Sequence, residues 1–571
     1  MVNFTKIFGL AGTALVFAGM AFGQATPTAS CTLGTPPNTG LLRAEGTTEQ
    51  LAQLNFVCTS AATNVGTTAA GNIGVQLFLS PTLPITSKIT TSSTNQTEAV
   101  ITSTSNGVAN ANARGTLVGT SSLTFTVAVP AIAPGQQYNF TVSNVRVNAA
   151  SVVVGGAPSP VSESLFVSGP PITATALAST PVGYVTTGIS SKVQKQFVTA
   201  AAGFPTGTAN TGGTNNFVIC NAVSPKVDGL NAASVVAGFT AGNGVGGKSL
   251  AFVAVVSEGF QSAFKGDATN TGGTEQPQVG GLSNAVSTND RIKLVFSNVP
   301  ANLTLYVPTG LITSTAGIAQ IRLTSSEAGG FTTVSNASGS GAANGLPIAA
   351  VSVSSNTGTA VFDVQMEDIA NTDTFNIPVF VSASSNAVAG SSTALTFSAS
   401  FAPVGSSNIP NFTTGASTTT LTGSTFNLCT TSLLFPFVTN QLGFDTGVAI
   451  SNTSTDPFGG SGATAQAGTC TLNFYGAGAP SPSNVVTPNV PSGTVYTQVL
   501  SGVAAGFQGY MIAQCAFQFA HGFAFITNGV GVNGGLSQGY LAGVIPDTNQ
   551  KGRGADPLSV AGPGSGETLG Q

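Results

Sequence analysis

The sequence predicts an all-β protein of tandem Ig-like or Greek-key β-sandwich domains, on three observations. Apolar residues recur at every second position from end to end, runs at helical spacing are hard to find, and Gly, Asn, Ser and Pro clusters punctuate the alternation. Only 6% of the 571 residues are charged, far below the ~25% of an ordinary soluble domain. With 42% hydrophobic residues and a mean hydropathy of +0.31, the chain lacks the composition of a disordered protein. Its 15 scattered Lys and Arg cannot build the basic stripe that nucleic acid requires, so nucleic acid is excluded as a partner.

The strands follow in order. Ile73, Val75, Leu77 and Leu79 alternate with polar or small partners, as do Leu123, Phe125, Val127 and Val129, so each run reads as a strand with one buried face. Tyr138, Phe140 and Val142 are followed by Val145 and Val147 with the phase slipped at Ser143-Asn144, which predicts a β-bulge. Ile292, Leu294, Phe296, then Leu303, Leu305, Val307, then Leu395, Phe397, Ala399, Phe401 continue the rhythm.

Residues 1–23 read as a secretory signal: Lys6 precedes the apolar run Ile7–Phe22, and Ala21-Phe22-Gly23 offers a small-residue cleavage site. Later segments are too interrupted to span a bilayer as helices, so the mature chain is expected to be exported, extracellular or cell-surface, with the periplasm as an alternative. Interruptions of the strand rhythm divide the rest into 24–168, an N-terminal sandwich; 169–425, a middle region with room for two sandwiches split near 290 and ending in a Ser/Thr-rich linker from Pro403 to Thr425; 426–548, a C-terminal sandwich; and a flexible tail, 549–571. Six cysteines, Cys31, Cys58, Cys220, Cys429, Cys470 and Cys515, suit up to three disulfides in an oxidising compartment. Cys31 with Cys58 is the favoured pair, and Cys470 with Cys515 the next, since both lie in one expected domain.

Four motifs invite a chemical reading. Gly242 to Ser249 spells a phosphate-binding loop, but a strand-like run, Ser249 to Val256, follows where a helix is required, so a glycine hairpin fits better. Gly535-Leu536-Ser537-Gln538-Gly539 spells a nucleophile elbow with the sole histidine, His521, fourteen residues before its first glycine; the order is reversed and no helix pattern follows Ser537. This serine hydrolase is the third reading, and no catalytic residue is expected. Cys515, Phe517, Phe519, His521, Phe523 and Phe525 alternate with Ala, Gly and Gln and read as one packed aromatic strand face, with His521 a member of it. Asp363, Glu367, Asp368 and Asp373 form an acidic cluster of oxygen ligands that suits calcium, against the simpler reading of a solvated loop.

Leu42-Arg43-Ala44-Glu45-Gly46 leading to Phe56-Val57-Cys58, Phe140 through Ala149, Ser257-Glu258-Gly259-Phe260 with Ala263-Phe264-Lys265, Asn298-Val299-Pro300-Ala301 with Leu305-Tyr306-Val307-Pro308, Leu434 through Asn440, and Gly443 through Asn452 are phrases that occur together. By these the chain resembles a family of large, cysteine-sparse bacterial secreted surface proteins built from several β-rich domains. The resemblance implies a fold and no catalytic residue. The expected role is therefore a non-catalytic structural or adhesive protein whose uncharged sheet faces meet other surface proteins, matrix, glycans or copies of itself. An array of carbohydrate-binding modules is the alternative, weakened by the absence of Trp and the presence of only 7 Tyr.

Overall fold

The structure, a computed structural model, describes residues 27–34, 38–197, 209–212, 214–219, 226–227, 249–266, 289–300, 303–336, 347–383, 393–405, 409–414, 417–428, 430–455, 465–517, 519–529 and 535–545. The expected signal segment 1–23, the glycine stretch 242–248, Cys220, Cys429 and residues 549–571 lie outside these. The described residues are strands joined by turns and short 3-10 segments, and among them no helix is long and apolar enough to cross a membrane. The all-β prediction holds. The chain forms two compact units, one of Met1–Gly188 with Glu275–Ser287 and Gly405–Thr413, the other of the remainder.

Unit 1 is built on a 13-stranded sheet whose strands alternate buried and exposed residues, as in Gly71–Ser80 and Ser122–Val129. The Ile172–Ala176 strand pairs in parallel with Ala29–Leu33 and antiparallel with Ser159–Gly169, so the sheet returns on itself around one core. Phe56 and Phe140 stack in that core with ring centroids 4.7 Å apart. Cys31 lies directly opposite Cys58 on adjacent strands, and the two are disulfide-bonded. Residues 168–171, where the sequence suggests a boundary, form the turn of a hairpin in which Val167 faces Thr175.

Two features of unit 1 differ from the sequence expectation. The phase slip after Val142 is a strand end rather than a bulge: Asn144 takes a φ of 58°, and Arg146–Val147 leaves the large sheet to pair with Glu49–Gln50. A left-handed Asn redirects the chain at modest steric cost because its short polar side chain tolerates that conformation. The Ser/Thr-rich run from Pro403 is also partly folded into this unit. Phe412 is buried, bridges to Gly46, and carries the Arg43 guanidinium 4.8 Å from its ring centre.

Unit 2 contains two pairs of sheets. In the first pair, strands from both sides of Asp290 are interleaved: Ser249–Glu258 pairs with Thr374–Ala383 in a six-stranded sheet, while Arg291–Ser297 lies between Thr357–Met366 and Thr393–Ala402 in a nine-stranded one. A division near 290 would separate hydrogen-bonded neighbours, since Ser249–Glu258 and Thr374–Ala383 lie on either side of it. Phe252 of the first sheet stacks on Phe397 of the second at 5.1 Å and meets Phe296 edge-on at 6.4 Å. Gly423 makes room for it, since a Cβ there would sit 2.4 Å from the Phe252 ring. The second pair, a five-stranded and a four-stranded sheet, uses only strands between Thr431 and Ile545 and encloses a separate core around Leu433, Phe435, Leu472, Phe474 and Met511. Cys470 faces Cys515 in it, and they are bonded.

The scarce charges are largely internal. Arg43, Arg146 and Arg291 are among the largest fully buried side chains. Arg43 donates from Nε to Glu49 at 2.8 Å, Arg146 lies 3.2 Å from Glu98, and Arg291 donates to Asp363 at 2.9 Å and to the Ser326 and Gly329 carbonyls. Removing one partner from such a pair strands the other charge in a low-dielectric interior. Arg291→Met is therefore expected to destabilise unit 2 by about 3–5 kcal/mol in urea unfolding, whereas Arg291→Met with Asp363→Leu costs less because no lone charge remains.

Glu163 has no such partner. It alternates with Val161, Leu165 and Val167 on the core side of its strand, and neither carboxyl oxygen has a hydrogen bond. Burial pushes its pKa up to about 8. The folded state then holds a proton that the unfolded chain releases from pH 4.5 upward, so stability is complete below pH 4.5 and falls as pH rises toward 8. The loss by pH 7 is about 3 kcal/mol. Glu163→Gln should flatten this part of the stability–pH curve; an unchanged slope would contradict the assignment.

Candidate functional site

Ser537 and His521, the pair of the third reading, do not come together. Ser537 begins the Ser537–Leu541 strand, faces Thr527 of the Ala520–Thr527 strand and exchanges a hydrogen bond with its hydroxyl at 2.8 Å. His521 lies six residues from Thr527 on that strand, facing Ser451, so roughly 20 Å of extended chain separates it from Ser537. A base and nucleophile need hydrogen-bond reach. No strand-turn-helix elbow is present either, since Ser537 enters a strand. Likewise Ser249–Glu258 is a strand where a phosphate loop would need a helix.

The four acidic residues suggested for calcium each turn to a different donor. Asp363 pairs with Arg291 and accepts from Asn289 at 2.8 Å. Glu367 accepts from Ser262 and from the Gly266 N–H, Asp368 accepts from the Ala370 N–H and Asn371, and Asp373 is buried beside Glu258. Among the described residues no group of three His, Cys, Asp or Glu converges to hold a metal. The cluster is buried rather than solvated, and its nearby member Glu258 fastens two backbone amides, those of Phe264 and Asp373, at 2.7 and 2.8 Å. Burial, aided by the Asp373 and Glu367 charges, raises Glu258 to about 7 against those two bonds.

The segment 515–525 departs from expectation in a way that exposes a surface. Cys515 ends a strand of the five-stranded sheet, Phe519 takes a φ of 57°, and Ala520 starts a strand of the four-stranded sheet. Across this turn the alternation changes face. Ala520, Gly522 and Ala524 point into the core, while Phe523 and Phe525 stand outside at 42% and 39% exposure. The reason is the spacing between sheets: a Cβ on Gly522 would lie 2.6 Å from the Phe435 ring and 2.8 Å from the Ala542 Cβ, so only small residues fit inward. Cys515 and Phe517 are packed as expected, whereas beyond the turn Phe523 and Phe525 lie on an outer face.

On that face the register sets Val499, Gly447 and Phe525 in one row and Thr497, Ala449 and Phe523 in the next. Phe523 and Phe525 form one wall, Val499 and Thr497 the other, and Gly447 and Ala449 the floor of a 520 Å³ groove. It continues past Asp445 and Asn528. Burial acts to raise the Asp445 carboxyl, but hydrogen bonds from Ser501 and Thr446 prevail and hold it below the usual carboxylate range. No Lys or Arg occurs between Arg322 and Lys551. On the other sheet of this sandwich, Tyr475 and Tyr510 stack at 5.0 Å, both exposed. Composition hid these features, because alternation does not say which face is inward.

No family model and no curated protein matches the chain. Solved structures with a likeness to it include the C-terminal domain of the Streptococcus pyogenes antigen I/II-family protein AspA, at 9% identity over 70% of this chain and 99% of that one with a TM-score of 0.26. The CupB6 tip adhesin from Pseudomonas aeruginosa is 9% identical over 71% and 99% with a TM-score of 0.19. BcpA, the major pilin subunit of Bacillus cereus, is 9% identical over 79% and 91% with a TM-score of 0.18.

The inward packing at Gly522 is directly testable. Gly522→Val should overpack the C-terminal sandwich and destabilise it by about 1–3 kcal/mol or more, read as a lowered denaturation midpoint. A neutral outcome would mean the two sheets lie farther apart than described.

Proposed function

We propose that this chain is an exported, non-catalytic protein of the bacterial surface that acts by adhesion or assembly through uncharged β-sheet faces. The observation that carries the reading is the distribution of charge. Arginines and their acidic partners are buried in the sandwiches, whereas an outer face of the C-terminal sandwich shows Phe, Val, Thr and Gly with no basic residue in the strands around it. Such a face meets a partner with little cost of stripping water from ions. Two disulfides support an oxidising compartment, in keeping with the apolar run near the N-terminus. His521 and Ser537 stand too far apart to form the pair that a serine hydrolase would need.

The test is adhesion and assembly by the purified full chain. Coated on a surface, it should retain cells or extracellular matrix above an inert protein control, or form multimers at high concentration. Either should depend little on salt from roughly 50 to 500 mM, because charge is not the attraction. A chain that stays monomeric at high concentration and retains neither cells nor matrix contradicts the reading.

A further inference from the structure

The glycine at the floor of the outer groove is not required by the fold. Gly447 sits within the Asp445–Asn452 strand, where glycine weakens a sheet by lost backbone entropy and missing side-chain packing. It is not among the residues of positive φ, and a Cβ placed on it would meet only the Phe525 carbonyl oxygen, at 3.9 Å. This sets it apart from Gly522 and Gly539, whose Cβ atoms would enter the Phe435 and Phe523 rings. A strand glycine often marks a bulge, a tight bend or a close approach by a ligand or another backbone, and the unbroken register of the Asp445–Asn452 strand with both neighbours excludes the bulge.

We propose that this groove binds an uncharged glycan, with a sugar ring seated over Gly447 and Ala449 between the Phe523–Phe525 wall and the Val499–Thr497 wall. This rests on the adhesive reading and specifies its ligand. Three observations favour that occupant. The volume of 520 Å³ lies within the range of sites for small ligands and suits a short oligosaccharide. The walls are apolar, while Thr497 and, farther along, Thr527 and Asn528 place neutral hydroxyls and an amide along the lining, which matches a sugar's apolar ring face and hydroxyl edge. The charge is matched as well. The strands around the groove carry no Lys or Arg to attract an acidic glycan, and Asp445 at one end repels one.

The experiment uses the full chain on an array of neutral and acidic oligosaccharides, followed by calorimetry with the best neutral hit. Two variants accompany it: Gly447→Leu, which fills the floor without a backbone clash, and Phe525→Ala, which removes one wall. The expected result is binding of neutral and not acidic glycans, weakened about tenfold or more in both variants, with the thermal midpoint of Gly447→Leu no lower than that of the wild-type chain. Absence of neutral glycan binding by the wild-type chain, or binding that Gly447→Leu leaves intact, overturns the proposal. If Gly447→Leu instead abolishes multimer formation while no glycan binds, the groove belongs to a second copy and the glycan assignment is wrong. Adhesion that persists in Gly447→Leu rejects the groove as the adhesive site but leaves the surface role standing; a wild-type chain that neither adheres nor assembles removes the surface role itself.

Discussion

Burial of charge in pairs is the constraint on which much of the architecture depends. Arg291 and Asp363 are direct cross-strand partners, so a slip of register by one residue would turn one of them to the other face of the sheet and leave its partner buried without a counter-charge. Arg146 ties the short strand Arg146–Val147 to Glu98 and to the Thr48 carbonyl, joining three segments far apart in sequence. Arg43 does the same locally with Glu49 and extends over Phe412. An apolar replacement of equal volume could be as stable. What the ionic pairs add is a penalty on every wrong pairing, which matters in a chain whose Gly, Ser, Thr and Val strands otherwise resemble one another.

The same constraint determines the surface. With most of the described arginines drawn inside, solubility rests on hydroxyls, amides and exposed backbone instead of ions. Edge strands are then protected by little electrostatic repulsion, which native sheets commonly use to prevent edge-to-edge association. A protein of this composition is suited to ordered contact with neighbours, and an exposed row such as Phe525, Gly447 and Val499 lies at the favourable end of that tendency. The absence of basic residues between Arg322 and Lys551 leaves that face without the positive charge by which other surfaces recruit partners over long range.

Much of the fold was legible because the strand period is two and burial follows it. Gly71–Ser80, Ser122–Val129 and Arg291–Ser297 bury the residues that alternation nominates. The two described disulfides join cysteines that sequence proximity and shared domain already favoured. Alternation fails where it must choose a face: at 515–525 it marks Phe and Gly correctly as opposite faces, but the turn at Phe519 and the close approach of Phe435 reverse which one is buried. It also fails on topology. Nothing local to Asp290 tells that the strand after it is flanked by partners from 357 to 402, nor that a Ser/Thr-rich run contributes Phe412 to a core. The phrases that prompt the resemblance to secreted surface proteins contain Arg43, Glu45, Arg146, Glu258 and Lys265, all buried, and their meaning as internal fasteners follows from the fold rather than the spelling.

Glycine shows most clearly why composition underdetermines the site. At Gly522 and Gly423 the missing side chain is a packing requirement, because an aromatic ring of the opposing sheet fills the space. At Gly539 the Phe523 ring lies over the strand and shields its backbone, the arrangement by which an aromatic compensates a strand glycine. At Gly447 none of these applies, and the open floor persists despite its cost to the sheet. Three of these glycines are thus explained by rings of the chain itself, and the fourth is not. Gly543, in the Gly543–Ile545 strand, is equally open, so what distinguishes Gly447 is its place between exposed aromatic and aliphatic walls, which leave its backbone open to a molecule from outside.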